Sequence, residues 1–185
     1  MNKLFIEKAI NYSGVELSPH WIYKNFNLVG DAIVAFCGEA RVELTEMVDI
    51  EDVIKNEPIY SKNMLNFIIE HFEIPLREMV LRQRMLMCII KECLEEKGLN
   101  IKREGDDLFY ENRKLSVSIA TKSITSCLIH TGINICADGA PIEVSSLEQM
   151  NIKDVKEFAN NIMQRYADEM SDVRTAVAKV RGVSA

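Results

Sequence analysis

Long apolar runs, paired cysteines and glycine-rich stretches are all scarce in this sequence of 185 residues. No segment approaches the roughly 20 consecutive apolar residues that a membrane-spanning helix requires, so no membrane association is expected. The opening stretch MNKLFIEKAINYSG is interrupted by Glu7, Lys8 and Asn11 and is too short in apolar run for a secretory signal, which makes the cytoplasm the expected compartment. The five cysteines (Cys37, Cys88, Cys93, Cys127 and Cys136) form an odd set with no CxxC pair. That spacing points to neither a disulfide framework nor a zinc site, and no metal ligands are assigned. Basic residues are the minority, 22 Lys and Arg against 28 Asp and Glu, for a formal charge of −6. Nucleic acid is therefore not an expected partner, because a general binder needs a basic surface to displace counterions from phosphates. What is present is an ordinary hydrophobic fraction of 48%, enough for a core without staples.

No internal repeat, low-complexity stretch or Pro/Gly/Ser-rich linker marks a domain boundary. The composition changes once, near Pro141. Before it, runs rich in Val, Ile, Phe and Leu predict strands at Trp21 to Phe26, Ala32 to Phe36, Asp107 to Tyr110, Leu115 to Thr121 and Cys127 to Ile135. Between Pro75 and Lys97, Leu76, Val80, Leu81, Leu86, Met87, Ile90 and Leu94 recur near helical spacing, with Gly98 placed for a left-handed C-cap. A shorter helix is expected from Asn63 to Phe72. Ser145 with Glu148, and again Asn151 with Asp154, form capping-box patterns ahead of a helix ending near Met170. Strands, helix, strands and then helices predict an α+β fold, a mixed and largely antiparallel sheet with helices packed on it.

The segment GDDLFYENRKLSVSIAT, Gly105 to Thr121, is the most informative. It reads as a strand, a polar Glu111-Asn112 turn and a second strand, which brings Asp107 close to Lys114 across a hairpin. Taken alone, such a pair is a surface ion pair. Arg82 lies one helical turn from Glu78 and pairs with it, or else it or Arg84 enters a cleft to bind a carboxylate or phosphate. His20 and Trp21 open a strand after Pro19; packing is the plain reading and an acid-binding rim the alternative. The acidic run Glu46 to Asp52 reads as a solvated loop or helix start, with a two-carboxylate Mg²⁺ site as the alternative.

Gly105-Asp106-Asp107-Leu108, Arg113-Lys114-Leu115 and Gly132-Ile133-Asn134 follow one another in the order and spacing of the motifs of biotin protein ligases, which the middle third of this chain resembles. Octanoyl transferases of the same fold supply a looser echo in Ile129-His130-Thr131-Gly132-Ile133-Asn134. Over nearly its whole length the chain also resembles an uncharacterised family, the domain of unknown function numbered three-six-six, which is grouped structurally with biotin and lipoate ligases. These resemblances imply a biotin/lipoate protein ligase-like core over residues 1–140, with a helical extension over 141–185 packed on the same domain. They imply Lys114 as the residue that meets an acyl carboxylate or phosphate, with Asp107 orienting it, and the transferase echo adds His130 as a further catalytic candidate, its plain reading being a histidine satisfied inside a β-strand. Arg41, Arg82, Arg84, Arg113, Ser116, Gly132, Asn134 and His20 are the candidate ligand- or phosphate-binding positions. The implied partner is a small carboxylate or acyl compound, and a homodimer is compatible with the pattern.

The chain departs from the ligases where they bind nucleotide. The strand Gly30 to Phe36 is followed by CGEARVELTEMVDIEDV, with one glycine, one arginine and six acidic residues, in place of a loop rich in Gly and Arg. A backbone cradle for pyrophosphate is missing there, which sets ATP with Mg²⁺ in doubt as a cofactor. Ser116-Val117 replaces the small pair that usually follows the lysine, and Cys136 lies too early to be the transferase nucleophile. Two readings stay open. One is an enzyme that activates or transfers an acyl group through Lys114. The other is a module that binds an anionic small molecule on the same fold without chemistry.

Overall fold

A computed structural model describes residues 1–56, 58–138 and 143–183. The boundary expected near 140 falls outside them. The elements follow the order β1 (Asn2–Ile6), α1 (Trp21–Phe26), β2 (Ala32–Val42), α2 (Ile50–Lys55), β3 (Ile59–Phe72) and α3 (Leu76–Glu95). Then come β4 (Ile101–Glu104), β5 (Asp107–Tyr110), β6 (Arg113–Lys114), β7 (Ser116–Lys122), β8 (Ser126–Asn134) and α4 (Val155–Ala178). Five strands form one sheet in the order β1-β2-β3-β8-β7, antiparallel except for the parallel β1/β2 pair, and β4-β5-β6 form a second small sheet.

Both faces of the large sheet are covered. Alternation along β3 sends Leu65, Phe67 and Ile69 to the side where α3 and α4 lie, against Met79, Leu86, Ile90, Phe158, Ile162 and Tyr166. Met64 and Ile68 go to the opposite side, under Tyr12 of the segment between β1 and α1 and Ile22 of α1. Each of these fully buried apolar side chains contributes roughly 1.5–3 kcal/mol. Gly38 makes the second cover possible. The chain at Ile10 and Tyr12 runs along β2, with Ile10 N–H donating to Cys37 O (3.1 Å) and Tyr12 N–H to Glu39 O (2.8 Å). A Cβ at position 38 would lie 2.1 Å from the Ile10 carbonyl oxygen.

Two predicted elements change type. Trp21–Phe26 is a helix, not a strand. Six residues are too few to separate a period of two from one of 3.6, and only Ile22 is buried. Asn63 to Phe72 is part of β3, not a helix. As the central strand it is buried on both faces, so its apolar run shows no alternation. Nor does Ser145 start a helix. Its hydroxyl donates to Arg113 O (2.9 Å), and residues 147–151 form turns. α4 starts later, with the Asp154 carboxylate accepting from Glu157 N–H (2.8 Å), and continues past Met170 to Ala178. α3 ends as its sequence predicts, with Gly98 at φ 81°. All five cysteines are free, and no helix among the described residues is long and apolar enough to cross a membrane.

Candidate functional site

The β5–β6 hairpin turns at Glu111 and Asn112, both at positive φ (50° and 62°), the backbone of a tight two-residue turn. It sets Lys114 Nζ 3.0 Å from Asp107 Oδ1, with about two-thirds of each side chain covered. Burial raises the Asp107 carboxyl above its ordinary value, and the hydrogen bond and charge of Lys114 only partly offset this. Asp106, the next residue back, is held from α3 by Arg84 Nη1 at 2.5 Å and by Gln83 Nε2–H at 2.9 Å.

Lys114 stands where two cavities meet. The first, about 360 Å³, is bounded by Tyr12, Glu46, Asp49, Asp107, Lys114 and His130, with α2 along one side. The second, about 380 Å³, is bounded chiefly by Ile59, Tyr60, Met64, Val117 and Val144, with Ser116 and Asn134 at its edge. Each volume suits a small molecule.

His130 is buried in β8, opposite Ile68 in the register. Tyr12 stacks on its ring at a centroid distance of 3.7 Å. Asn66 Nδ2–H donates to Met64 O (3.1 Å), which turns Asn66 Oδ1 toward His130, so the imidazole donates from Nε2 (3.0 Å). Burial pushes His130 down to about 3, so the ring is neutral near pH 7. Among the described residues, no hydrogen bond reaches its Nδ1.

Of the residues singled out from sequence, Lys114, Asp107 and His130 thus line one cavity, and Ser116 and Asn134 the adjoining one. Ser116 Oγ accepts from Leu108 N–H (3.0 Å), and Asn134 Nδ2–H donates to Ser145 O (3.3 Å). Gly132 leaves room for Met64, whose Sδ would meet a Cβ there at 2.1 Å. The rest lie elsewhere. Arg41 is exposed and pairs with Glu43, and Arg113 pairs with Glu111. Arg82 bonds Glu78 and His71 on the helix face of the sheet. His20 precedes α1 in the left-handed region (φ 63°), gives its N–H to Glu70 (2.9 Å) and stacks on Phe72. Arg84 reaches the site only through Asp106. Sequence reasoning missed Tyr12, Asn66 and Met64. Asn66 pairs across from Gly132 and beside His130 only once β3 is recognised as a strand.

Residues 1–181 match the family described as Domain of unknown function (DUF366). The chain belongs to that family. An uncharacterized protein of Methanocaldococcus jannaschii is 37% identical, over 97% of this chain and 84% of its own length. The solved structure of a protein of unknown function from Pyrococcus horikoshi is 36% identical, with a TM-score of 0.93 over 99% of each chain. Biotin protein ligase from Aquifex aeolicus, in complex with biotin and ATP, gives a TM-score of 0.60 at 16% identity, over 92% of this chain and 70% of that one. A bi-partite lipoate protein ligase from Thermoplasma acidophilum gives 0.57 at 15%, over 92% and 83%. This DUF366 member therefore has the α+β fold of biotin and lipoate ligases, within a family that has no assigned activity.

Proposed function

We propose that this protein binds a small carboxylate- or acyl-bearing molecule, with its tail in the apolar cavity beside Met64 and its acyl oxygens on Lys114. The position of Lys114 at the junction of the two cavities carries this reading. An ammonium in a partly desolvated cleft stabilises negative charge that develops on an acyl oxygen more than the ground state, and Asp107 at 3.0 Å fixes where it points. That arrangement suits transfer of an acyl group from a donor that is already activated.

A nucleotide triphosphate does not fit. The cavity next to Lys114 is walled by Glu46, Asp49, Glu51, Asp52, Asp106 and Asp107 against Lys55 and Lys114, and it offers no glycine-rich backbone cradle. The same acidic wall favours the second reading, a binding module on the ligase fold that does no chemistry. Thermal-shift and calorimetric titration with biotin, lipoate, octanoate and shorter carboxylic acids, each with and without MgATP, tests both. Binding of one acid, weakened by roughly 30- to 1,000-fold in Lys114→Ala, is expected. Turnover of the matching thioester separates enzyme from module, and unchanged affinity in Lys114→Ala contradicts both.

A further inference from the structure

Six carboxylates line the first cavity against two ammonium groups, and the lining includes the neutral imidazole of His130, which has an unused acceptor. We infer that this cavity is a binding site for a cationic amine, whose ammonium is held by carboxylates including Glu46 and Asp49 and which donates one N–H to Nδ1 of His130. The site goes beyond the acyl reading and does not depend on it.

Two independent observations converge here. The first is electrostatic. Acidic groups come from three separate stretches: the loop before α2, α2 itself and the start of β5. An excess of one sign in a concave site concentrates ligands of the other sign. The second is His130. It is buried, borders the cavity and is fixed by Asn66 in the tautomer that leaves Nδ1 as an acceptor, and no described residue donates to it. An acceptor on a buried ring that opens on a cavity and has no donor among the described residues is matched by a donor on a ligand or solvent. A ligand that donates N–H and carries positive charge satisfies both features.

The spread of the carboxylates selects the type of cation. Among the described residues, no three His, Cys, Asp or Glu side chains converge closely enough to hold a metal ion. Dispersed acids around about 360 Å³ suit a cation whose charge is spread along a chain, a diamine or polyamine, better than a single ion.

The protein has three histidines, so isotope-labelled histidine gives three resolvable rings. The test titrates the labelled protein with putrescine and spermidine at low salt near neutral pH, with butane-1,4-diol as the uncharged control. Saturable binding should move the Nδ1 resonance of His130 while Nε2 keeps its proton, and the His20 and His71 rings should stay in place. Glu46→Gln with Asp49→Asn should weaken binding by at least roughly fivefold. Asparagine at position 49 still caps α2, so the melting temperature should hold. Lys114→Ala, which abolishes carboxylate binding if the acyl reading is right, should keep or tighten amine binding because a competing cation is gone. The two readings therefore fail separately. An unmoved His130 ring at saturating amine, no saturable binding, equal affinity in the double variant, or the same response to the diol would each overturn the inference.

Discussion

Each face of the large sheet carries one buried histidine, and the surroundings of the two differ. His71, at the end of β3 on the helix face, is matched at both nitrogens. Its Nδ1 donates to Asp31 Oδ2 (2.9 Å) in one tautomer or accepts from Arg82 Nη1 (2.9 Å) in the other, and Tyr166 Oη stands 3.0 Å from Nε2 in both. His130, on the opposite face, has one nitrogen matched by Asn66 and the other at the edge of a cavity. A closed set of hydrogen bonds holds elements together; here it ties Asp31, the residue before β2, to β3, α3 and α4. A set left open beside a cleft awaits a ligand. Burial lowers both histidines, and at His71 the hydrogen bond to Asp31 opposes it without winning.

The largest expected effect treats the two alike. Between about 3 and 6.5 the unfolded chain takes up a proton at His130 that the folded chain refuses. Stability is thus fully present above pH 6.5 and falls as the pH drops toward 3, by roughly 1.4 kcal/mol per pH unit. His71 slopes the same way. Burial raises Asp31, but hydrogen bonds from His71 and the Phe72 N–H outweigh it and leave the carboxyl low, so its contribution is lost only at still more acid pH. The raised carboxyl of Asp107 works in the opposite direction. Urea unfolding across this range checks the slope, and a flat profile from pH 6.5 to about 4.5 contradicts it.

The next effect belongs to the cavity face alone. In Gly38→Ala the new methyl meets the Ile10 carbonyl at 2.1 Å, where backbone rather than a flexible side chain must yield. A loss of at least ~2 kcal/mol is expected, with Tyr12 loosened from His130. A smaller effect belongs to the helix face. Tyr166→Phe leaves Nε2 of His71 without its partner and should cost about 1–2 kcal/mol in unfolding free energy. It should not alter ligand affinity, and a change there would undo the division between the faces.

The site was legible where chemistry is local. The Glu111-Asn112 turn lies between Asp107 and Lys114 in sequence, so their pairing follows from a hairpin alone. The cover over His130 was not legible. Tyr12 reaches it from 118 positions away in sequence, along a path that exists only because Gly38 lacks a side chain. Likewise the run from Asn63 to Phe72 gave no period, because a strand apolar on both faces looks like a buried helix. Arg41, Arg82 and Arg84, the arginines named as candidates for phosphate, are each paired with an acid. Arg82 with Glu78 and Arg41 with Glu43 follow local spacing, whereas Arg84 with Asp106 needs the hairpin to pack on α3.

If the cavity face serves a ligand and the helix face serves stability, affinity and stability change independently. The most direct measurement takes one carboxylic acid that binds the wild type and determines its affinity and the unfolding free energy in Lys114→Ala and Tyr166→Phe side by side. Lys114→Ala should lose roughly 30-fold or more in affinity while its stability stays within about 1 kcal/mol, since the pair with Asp107 is partly exposed. Tyr166→Phe should show the reverse. If Lys114→Ala binds as tightly as the wild type, or if both variants lose affinity in proportion to lost stability, the two faces do not divide in this way.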